Sequence, residues 1–382
     1  MATGVGEFGG TAPAEPARAV SVPQRLALAN GPIVYRMSKR VACMVVASLS
    51  LRFDLRMPGL DGPARARQYA ACLDICEWAD SRGFDGVGLS EHHCSPDGYL
   101  PAPLALAGAI FGRTRSMRVL VSALLVPLND PIRLAETIAV LDLASRGRLM
   151  IVAGQGYRPE EFEAASVERR RAGKLLESSV RAMLDAWTGE PFEYLGRRVH
   201  VTPAPLSQPH PWLAIGGSTA KGARRAARLR LPFAPSSAAP GLADAYRTAC
   251  EQIGYGGRLI PMTPSVTFVH VSEDPERDWP RVAPHALHDA GVYAGWRTPG
   301  QRVDLVDAPA TTDPDRLRAT GDYRVVTPDE CVALVHEGGS RGALVLHPLM
   351  GGLPPDLAWE SLELFDAKVR PRLGGSAFFG AP

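Results

Sequence analysis

The feature that most constrains this chain is a rhythm. Short apolar runs, each ended by polar, Gly or Pro residues, alternate with longer amphipathic segments. Eight runs can be counted: SLSLRFDLR, FDGVGLS, MRVLVSALLV, RLMIVAG, WLAIGG, LPFAPSS, MTPSVTFVH and GALVLHP. Short runs rich in Val, Leu, Ile and Ala suit strands of a parallel sheet covered on both faces. Between them lie RARQYAACLDICEWADSRG, PIRLAETIAVLDLASRG and ESSVRAMLDAWTGE, several of which stop at Gly, as helix C-termini do. Alternating strand and helix units predict an α/β fold, and eight of them predict a closed (β/α)8 TIM barrel with its chemistry on the loops after the strands. A doubly wound open sheet is the competing fold, but no GxGxxG follows the first run. The stretch DPERDWPRVAPHALHDAGVYAGW, between the seventh and eighth runs, is longer than a plain connection and predicts an inserted helical segment. Of its Trp279, Tyr293 and Trp296, at least two are expected to pack helices rather than line a cavity.

The N-terminal stretch breaks the rhythm. It is rich in Gly, Ala and Pro and lacks apolar periodicity, so residues 1–40 are expected to form a tail, with residues 41–382 as the barrel domain. Met37 and Met44 are alternative starts of the functional chain.

Composition narrows the partners. Forty-two Lys and Arg against 40 Asp and Glu leave a net charge of +2, too weak a field to attract nucleic acid or an anionic membrane. The apolar run VACMVVASLSL stops at Arg52 after 11 residues, short of the ~20 a membrane span needs. Six cysteines without a CxxC pair, and no secretory signal, predict reduced thiols in a cytoplasmic protein. A small-molecule substrate is the remaining expectation.

Three stretches carry chemistry. In GLSEHHCSPDGYLPAP, Glu91, His92, His93 and Cys94 follow the second run, at the catalytic end of a barrel strand. Adjacent residues leaving a strand point in opposite directions, so His92 and His93 are not expected to share a metal, and no metal site is predicted. The same spacing disfavours a Cys–His dyad. One working histidine and a pair that caps a loop both remain open. In AIGGSTAKGARRAARL, Gly216 and Gly217 precede Ser218 and Thr219, which open a helix; its backbone N–H groups and dipole suit an anion, though a capped helix after two turn glycines reads the same. In VAGQGYRPEEF, Gly154 and Gly156 flank Gln155 and precede Tyr157, and the glycines allow backbone to approach a flat ligand.

These blocks, with SALLVPLNDPIRLAETIAVLDLASRGRLMIV, AWTGEPFEYLGRRV, YRVVTPDECVALV and LELFDAKVRPRL, resemble the bacterial luciferase-like flavin-dependent monooxygenase family over roughly residues 50–373. The resemblance implies a (β/α)8 barrel that uses reduced FMN and dioxygen on a small organic substrate. A separate reductase would supply the flavin, and pairing of barrels implies a homodimer. It also implies two alternatives: a deazaflavin-dependent hydride-transferring oxidoreductase, and a barrel that binds flavin without turnover. The first histidine of EHH, His92, corresponds to the catalytic histidine, an acid–base task suited to imidazole. Ser122 and Ala123 match a non-prolyl cis peptide beneath the flavin ring, and Gly216 to Thr219 match the phosphate site. Some members have arginine where this chain has Gln155, so Arg169, Arg170 or Arg171 is expected to supply the phosphate's counter-charge. Asp142 and Arg148 match structural positions expected to pair with each other, and His347, on the loop after the last run, is expected to face the same mouth, either touching flavin or substrate or serving only as a loop histidine.

Overall fold

The computed structural model describes residues 48–237, 239–260, 267–296, 311–337 and 343–373. The expected tail over 1–40, Met37 and Met44 lie outside the described residues. The elements run β1 (Ser48–Phe53), α1 (Gly62–Ser81), β2 (Gly86–Leu89), α2 (Pro103–Arg113), β3 (Arg118–Leu125), α3 (Pro131–Ser145) and β4 (Leu149–Gly154). They continue with α4 (Pro159–Ala164), α5 (Ala172–Ala186), β5 (Phe192–Tyr194), β6 (Arg197–Val199), β7 (Trp212–Gly217), α6 (Ala220–Arg228), β8 (Phe233–Pro235) and α7 (Leu242–Gln252). After β9 (Phe268–Val271) come α8 (Pro275–Gly295), α9 (Pro314–Arg318), β10 (Tyr323–Val326), α10 (Pro328–Glu337), β11 (Ala343–Leu346) and α11 (Pro355–Leu364).

Seven parallel strands form one sheet in the order β11-β1-β2-β3-β4-β7-β8, which puts the last strand of the chain beside the first and curls the sheet into a half-barrel. A second sheet pairs β9 with β10 in parallel. The strand β10 lies in YRVV, outside the eight counted runs; it is four residues long, inside a block that the sequence marks only by family resemblance. Nine parallel strands among the described residues therefore stand where eight were expected. Among the described residues, hydrogen bonds do not close the ring through the β9–β10 pair. Residues 262–266, the first part of the seventh run, lie outside the described residues. Between β9 and β11 the chain carries α8, α9 and α10 as well as the unforeseen strand.

Local chemistry explains the boundaries. Asp61 caps α1 by accepting from the Ala64 N–H, with Pro63 in the first turn, and Asp130 caps α3 through Ile132 and Arg133. The C-terminus of α3 closes on Arg146 in the left-handed region at φ 58°, followed by Gly147. On β1, Leu49, Leu51 and Phe53 face the covering helices and are buried, while Ser48, Ser50 and Arg52 face the concave side. Gly86 and Gly88 continue that face on β2, and such small residues leave the interior open. Trp187 in the AWTGE block is buried and donates from its indole to the Ala135 carbonyl at 3.1 Å, fastening α5 to α3. Asp142 and Arg148 do not pair as expected. Asp142 accepts from the Ser207 N–H and hydroxyl, while Arg148 donates to Thr114 and to the Ser145 and Met117 carbonyls. No helix among the described residues is long and apolar enough to cross a membrane.

Candidate active site

A cavity of about 600 Å³ opens at the C-terminal ends of the strands and reaches into the concave face of the main sheet. Eleven of the residues singled out from the sequence line it. From β2 comes His92; from β3, Ser122 and Ala123; after β4, Gly154, Gln155, Gly156 and Tyr157; and from β7 and the entry to α6, Gly216, Gly217, Ser218 and Thr219. Such convergence follows from parallel strands in sequence order, which bring successive strand ends to one rim.

His92 is 8% exposed. Its Nδ1 lies 2.7 Å from Glu161 Oε1, and the hydroxyl of Tyr157 stands 3.4 Å from its Nε2, on the cavity side. Tyr99, Tyr157 and Trp296 surround the imidazole with ring centroids 4.7–5.4 Å away. Burial pushes the His92 pKa below its ordinary value, and the Glu161 carboxylate pulls part of the way back. Burial thus favours the neutral imidazole, and the Glu161 contact at Nδ1 sets its orientation. His93 turns to another carboxylate: its Nε2 lies 2.9 Å from Glu91 Oε1, and that hydrogen bond raises its pKa. Glu91 also accepts from the Leu125 N–H at 2.6 Å, tying the EHH loop to the end of β3. The neighbouring histidines therefore serve separate carboxylates in separate directions, as a strand's alternation requires. Cys94 is exposed at φ 53°.

Glu161 escaped the sequence reading. It is one of three glutamates in RPEEFE, and only the fold shows that this one, 1% exposed at the start of α4, accepts from the His93 N–H and contacts Arg158 at 3.5 Å. Its burial in the first helical turn is what sets it apart from Glu160. Neutralising it should lower the His92 pKa further, because the interaction that favours imidazolium is removed. A base that works in its neutral form loses activity as pH falls through its pKa, so the acid limb of the rate profile in Glu161→Gln should move to lower pH. An unmoved limb would dissociate Glu161 from His92.

Ser122 and Ala123 are joined by a cis peptide bond at the point where the β3–β4 register shifts. Gly154, which lines the cavity, also makes room for this join: a Cβ there would come 2.6 Å from the Ala123 Cβ. Gly156 has φ +74°, a conformation that disfavours other residues.

At the far end of the cavity, Thr219 rather than Ser218 caps α6, its Oγ1 accepting from the Gly222 N–H at 3.2 Å. The arginine triplet expected to supply a counter-charge does not reach the cavity. Arg169, Arg170 and Arg171 are exposed and do not line the cavity; Arg170 pairs with Glu168, and Arg169 reaches the Tyr157 carbonyl. Arg225, on α6, does line it. Its side chain is 12% exposed, its nearest carboxylate is Glu177 at 3.8 Å, and its buried Nε has no hydrogen-bond partner among the described residues. Glu177 already receives Arg228 at 2.6 Å and Arg181 at 3.2 Å, so three guanidiniums share one carboxylate. A Cβ on Gly173 would meet both Arg225 Nη2 and Gln155 Oε1, which places the two side chains at the same spot. The signal that would have found Arg225 is its place, six residues after Thr219, which puts it on the helix opened by the cradle.

Three background residues resolve as well. Trp279 is buried beneath Arg318 and packs, but Tyr293 and Trp296 both line the cavity, contrary to the expectation that at least two of the three only pack. His347 is buried, 3.4 Å from Asp54, rather than facing the mouth.

A parallel half-barrel with its cavity at the strand ends, a helix N-terminus and an arginine at one end, and a carboxylate-held histidine at the other defines an α/β enzyme scaffold of the TIM-barrel type. The luciferase-like monooxygenase family model matches residues 52–340, and the chain belongs to that family. It is 26% identical over 338 residues to 4-hydroxyprotoasukamycin monooxygenase of Streptomyces nodosus subsp. asukaensis, covering 80% of this chain and 86% of that protein. It is 27% identical over 163 residues to the oxygenase component of the flavin-dependent trigonelline monooxygenase of Acinetobacter baylyi, covering 40% of this chain and 45% of that one. The matched stretches span about half the length of this and other curated relatives. The oxygenating constituent of 3,6-diketocamphane monooxygenase of Pseudomonas putida, solved with FMN, superposes with a TM-score of 0.63 at 20% identity, over 86% of this chain and 99% of that one.

Proposed function

We propose that this chain is a flavin-dependent monooxygenase that binds reduced FMN in the cavity and uses dioxygen to oxygenate a small organic substrate. The observation that carries the reading is the convergence on one cavity of His92 held by Glu161, the Ser122–Ala123 cis peptide, and an α6 N-terminus reinforced by an under-paired Arg225. The described residues fit the cofactor. The orphaned Nε of Arg225 and the N-terminal N–H groups of α6 suit a phosphate dianion, and the cavity between them and His92 accommodates a flat ring system.

When bound, reduced flavin supplies the electrons that activate oxygen. The chain's own part is binding and proton handling. Arg225, Ser218, Thr219 and the α6 backbone anchor the phosphate, with Gln155 as a neutral hydrogen-bonding neighbour. His92, neutral and fixed through Nδ1 by Glu161, takes or returns a proton at Nε2, where Tyr157 stands. Tyr99, Trp296 and Tyr157 keep water from that atom. We read the fold that houses this chemistry as a TIM-type barrel to which the main sheet and the β9–β10 pair both belong, with α8 and its neighbours as an inserted segment. Relatives described as oxygenase components support a separate reductase as partner. We read the protein as a cytoplasmic homodimer whose functional part is the domain from residue 41 onward.

Another structural neighbour, an F420-dependent secondary alcohol dehydrogenase with a TM-score of 0.58, is the reason to test deazaflavin beside FMN. Anaerobic titration of the purified protein with reduced FMN, oxidised FMN and deazaflavin should give the tightest binding with reduced FMN. Preferential deazaflavin binding would replace oxygenation with hydride transfer as the reading.

A further inference from the structure

The end of the cavity away from Arg225 has its own chemistry. Arg52, on the concave face of β1, lines it, and its Nη2 donates to the Tyr293 hydroxyl at 2.7 Å. Among the described residues that phenol is its one hydrogen-bond partner, and no carboxylate lies within 4 Å of its guanidinium. The carboxylates nearby are engaged by other groups. Arg56 contacts Asp289 at 3.2 Å and Asp54 at 3.5 Å; Tyr323 donates to Asp289 at 2.6 Å; His288 stands 2.9 Å from Asp97. Burial opposes the charge on Arg52, but the phenols of Tyr293 and Tyr99 and the carboxylates of Asp54 and Asp289 outweigh it and raise the guanidinium's pKa. Among the described residues no hydrogen-bond acceptor is seen against its remaining N–H donors, and the side chain lines the cavity.

The walls around this fork are aromatic. The Tyr293 hydroxyl is 3.1 Å from that of Tyr99, Tyr293 packs edge-on against Trp296, and both Tyr99 and Trp296 pack on His92. Arg52 is thereby joined through one layer of rings to the proton-handling imidazole. Guanidiniums already occupy ring faces in this layer: Arg56 stands 3.9 Å from the Tyr293 centroid and Arg158 4.1 Å from that of Trp296. A cationic ligand would meet those charges, whereas a planar ring carrying a carboxylate would stack on the walls and complete the Arg52 fork.

We propose that this end of the cavity is a substrate subsite for an aromatic carboxylate, with Arg52 as its anchor and Tyr293 as the residue that aims the guanidinium. The inference rests on the flavin reading only for which end is left to the substrate. The test is calorimetric titration of the FMN-saturated protein with benzoate and with its neutral isostere benzamide. With the phosphate end filled, benzoate should bind about tenfold or more tightly than benzamide, and added salt should erode the preference. Arg52→Met should abolish the preference and Arg52→Lys should recover part of it, since a point charge without the fork remains. The wild-type comparison needs no variant and so is independent of any folding defect. Equal binding of the two ligands overturns the subsite, as does displacement of FMN by benzoate, which would send the carboxylate to Arg225. Failure of FMN to bind while the apoprotein still prefers benzoate would instead sink the flavin reading and leave the subsite standing.

Discussion

Replacing His92 with alanine should leave the affinity for reduced FMN nearly intact and cut product formation on admission of oxygen by about 10²–10⁴, the usual worth of a general acid–base group. The imidazole lies in the aromatic layer away from α6 and Arg225, so its loss leaves the phosphate anchors in place. What it removes is an imidazole nitrogen that faces the cavity while its partner nitrogen is locked: Nδ1 is committed to Glu161, and Nε2 faces Tyr157. The comparison variant is His93→Ala, which loses a contact with Glu91 and should cost stability more than turnover. Anaerobic binding of reduced FMN, followed by rapid mixing with oxygen and assay of a converted substrate, separates the two effects. Wild-type turnover in His92→Ala together with a dead His93→Ala would transfer the role to the second histidine.

Arg225→Ala should weaken FMN binding by about 10- to 100-fold, the fold-change that corresponds to a hydrogen bond to a charged group worth about 1.5–3 kcal/mol. Riboflavin, which lacks the phosphate, should bind the variant and the wild type alike. The reason is the local charge count: Glu177 is shared by Arg181, Arg225 and Arg228, and Arg225 is the member that faces the cavity. Removing it leaves the α6 N-terminus to hold the phosphate without a full positive charge. Arg169→Ala, which changes an exposed residue of the triplet, should leave FMN affinity unchanged. Equal losses for FMN and riboflavin in Arg225→Ala would place the arginine beside the ring instead of the phosphate.

How much of the molecule is legible in its sequence differs from element to element. The alternation of apolar runs with amphipathic segments is enough to place the strands of the main sheet, because each strand of a covered parallel sheet must carry its own apolar face and each crossover helix its own stripe. EHH, GGST and GQGY can be placed on one rim for the same reason: in a parallel sheet, the loops that leave the strand ends all emerge on one side. Strand β10 is not legible, since YRVV is too short for periodicity to distinguish a strand from part of a loop.

The sequence by itself determined the order of the main-sheet strands and the rim on which their loops emerge, while its resemblance to a family, not spacing, singled out His92 as the residue to test. Only the tertiary structure decided which charges serve that rim. Glu161 lies 69 positions from His92, Arg225 lies on a helix rich in arginine, and Arg52 interrupts an apolar run, yet each is picked out by burial, by a neighbour's prior commitment or by an open cavity beside it. Spacing along a chain records local geometry, periods of two and 3.6 residues, and nothing of partners brought together across the sheet. Whether a charged side chain is paired, spare or solvated is a property of those distant partners, so it becomes readable only after the chain has closed on itself.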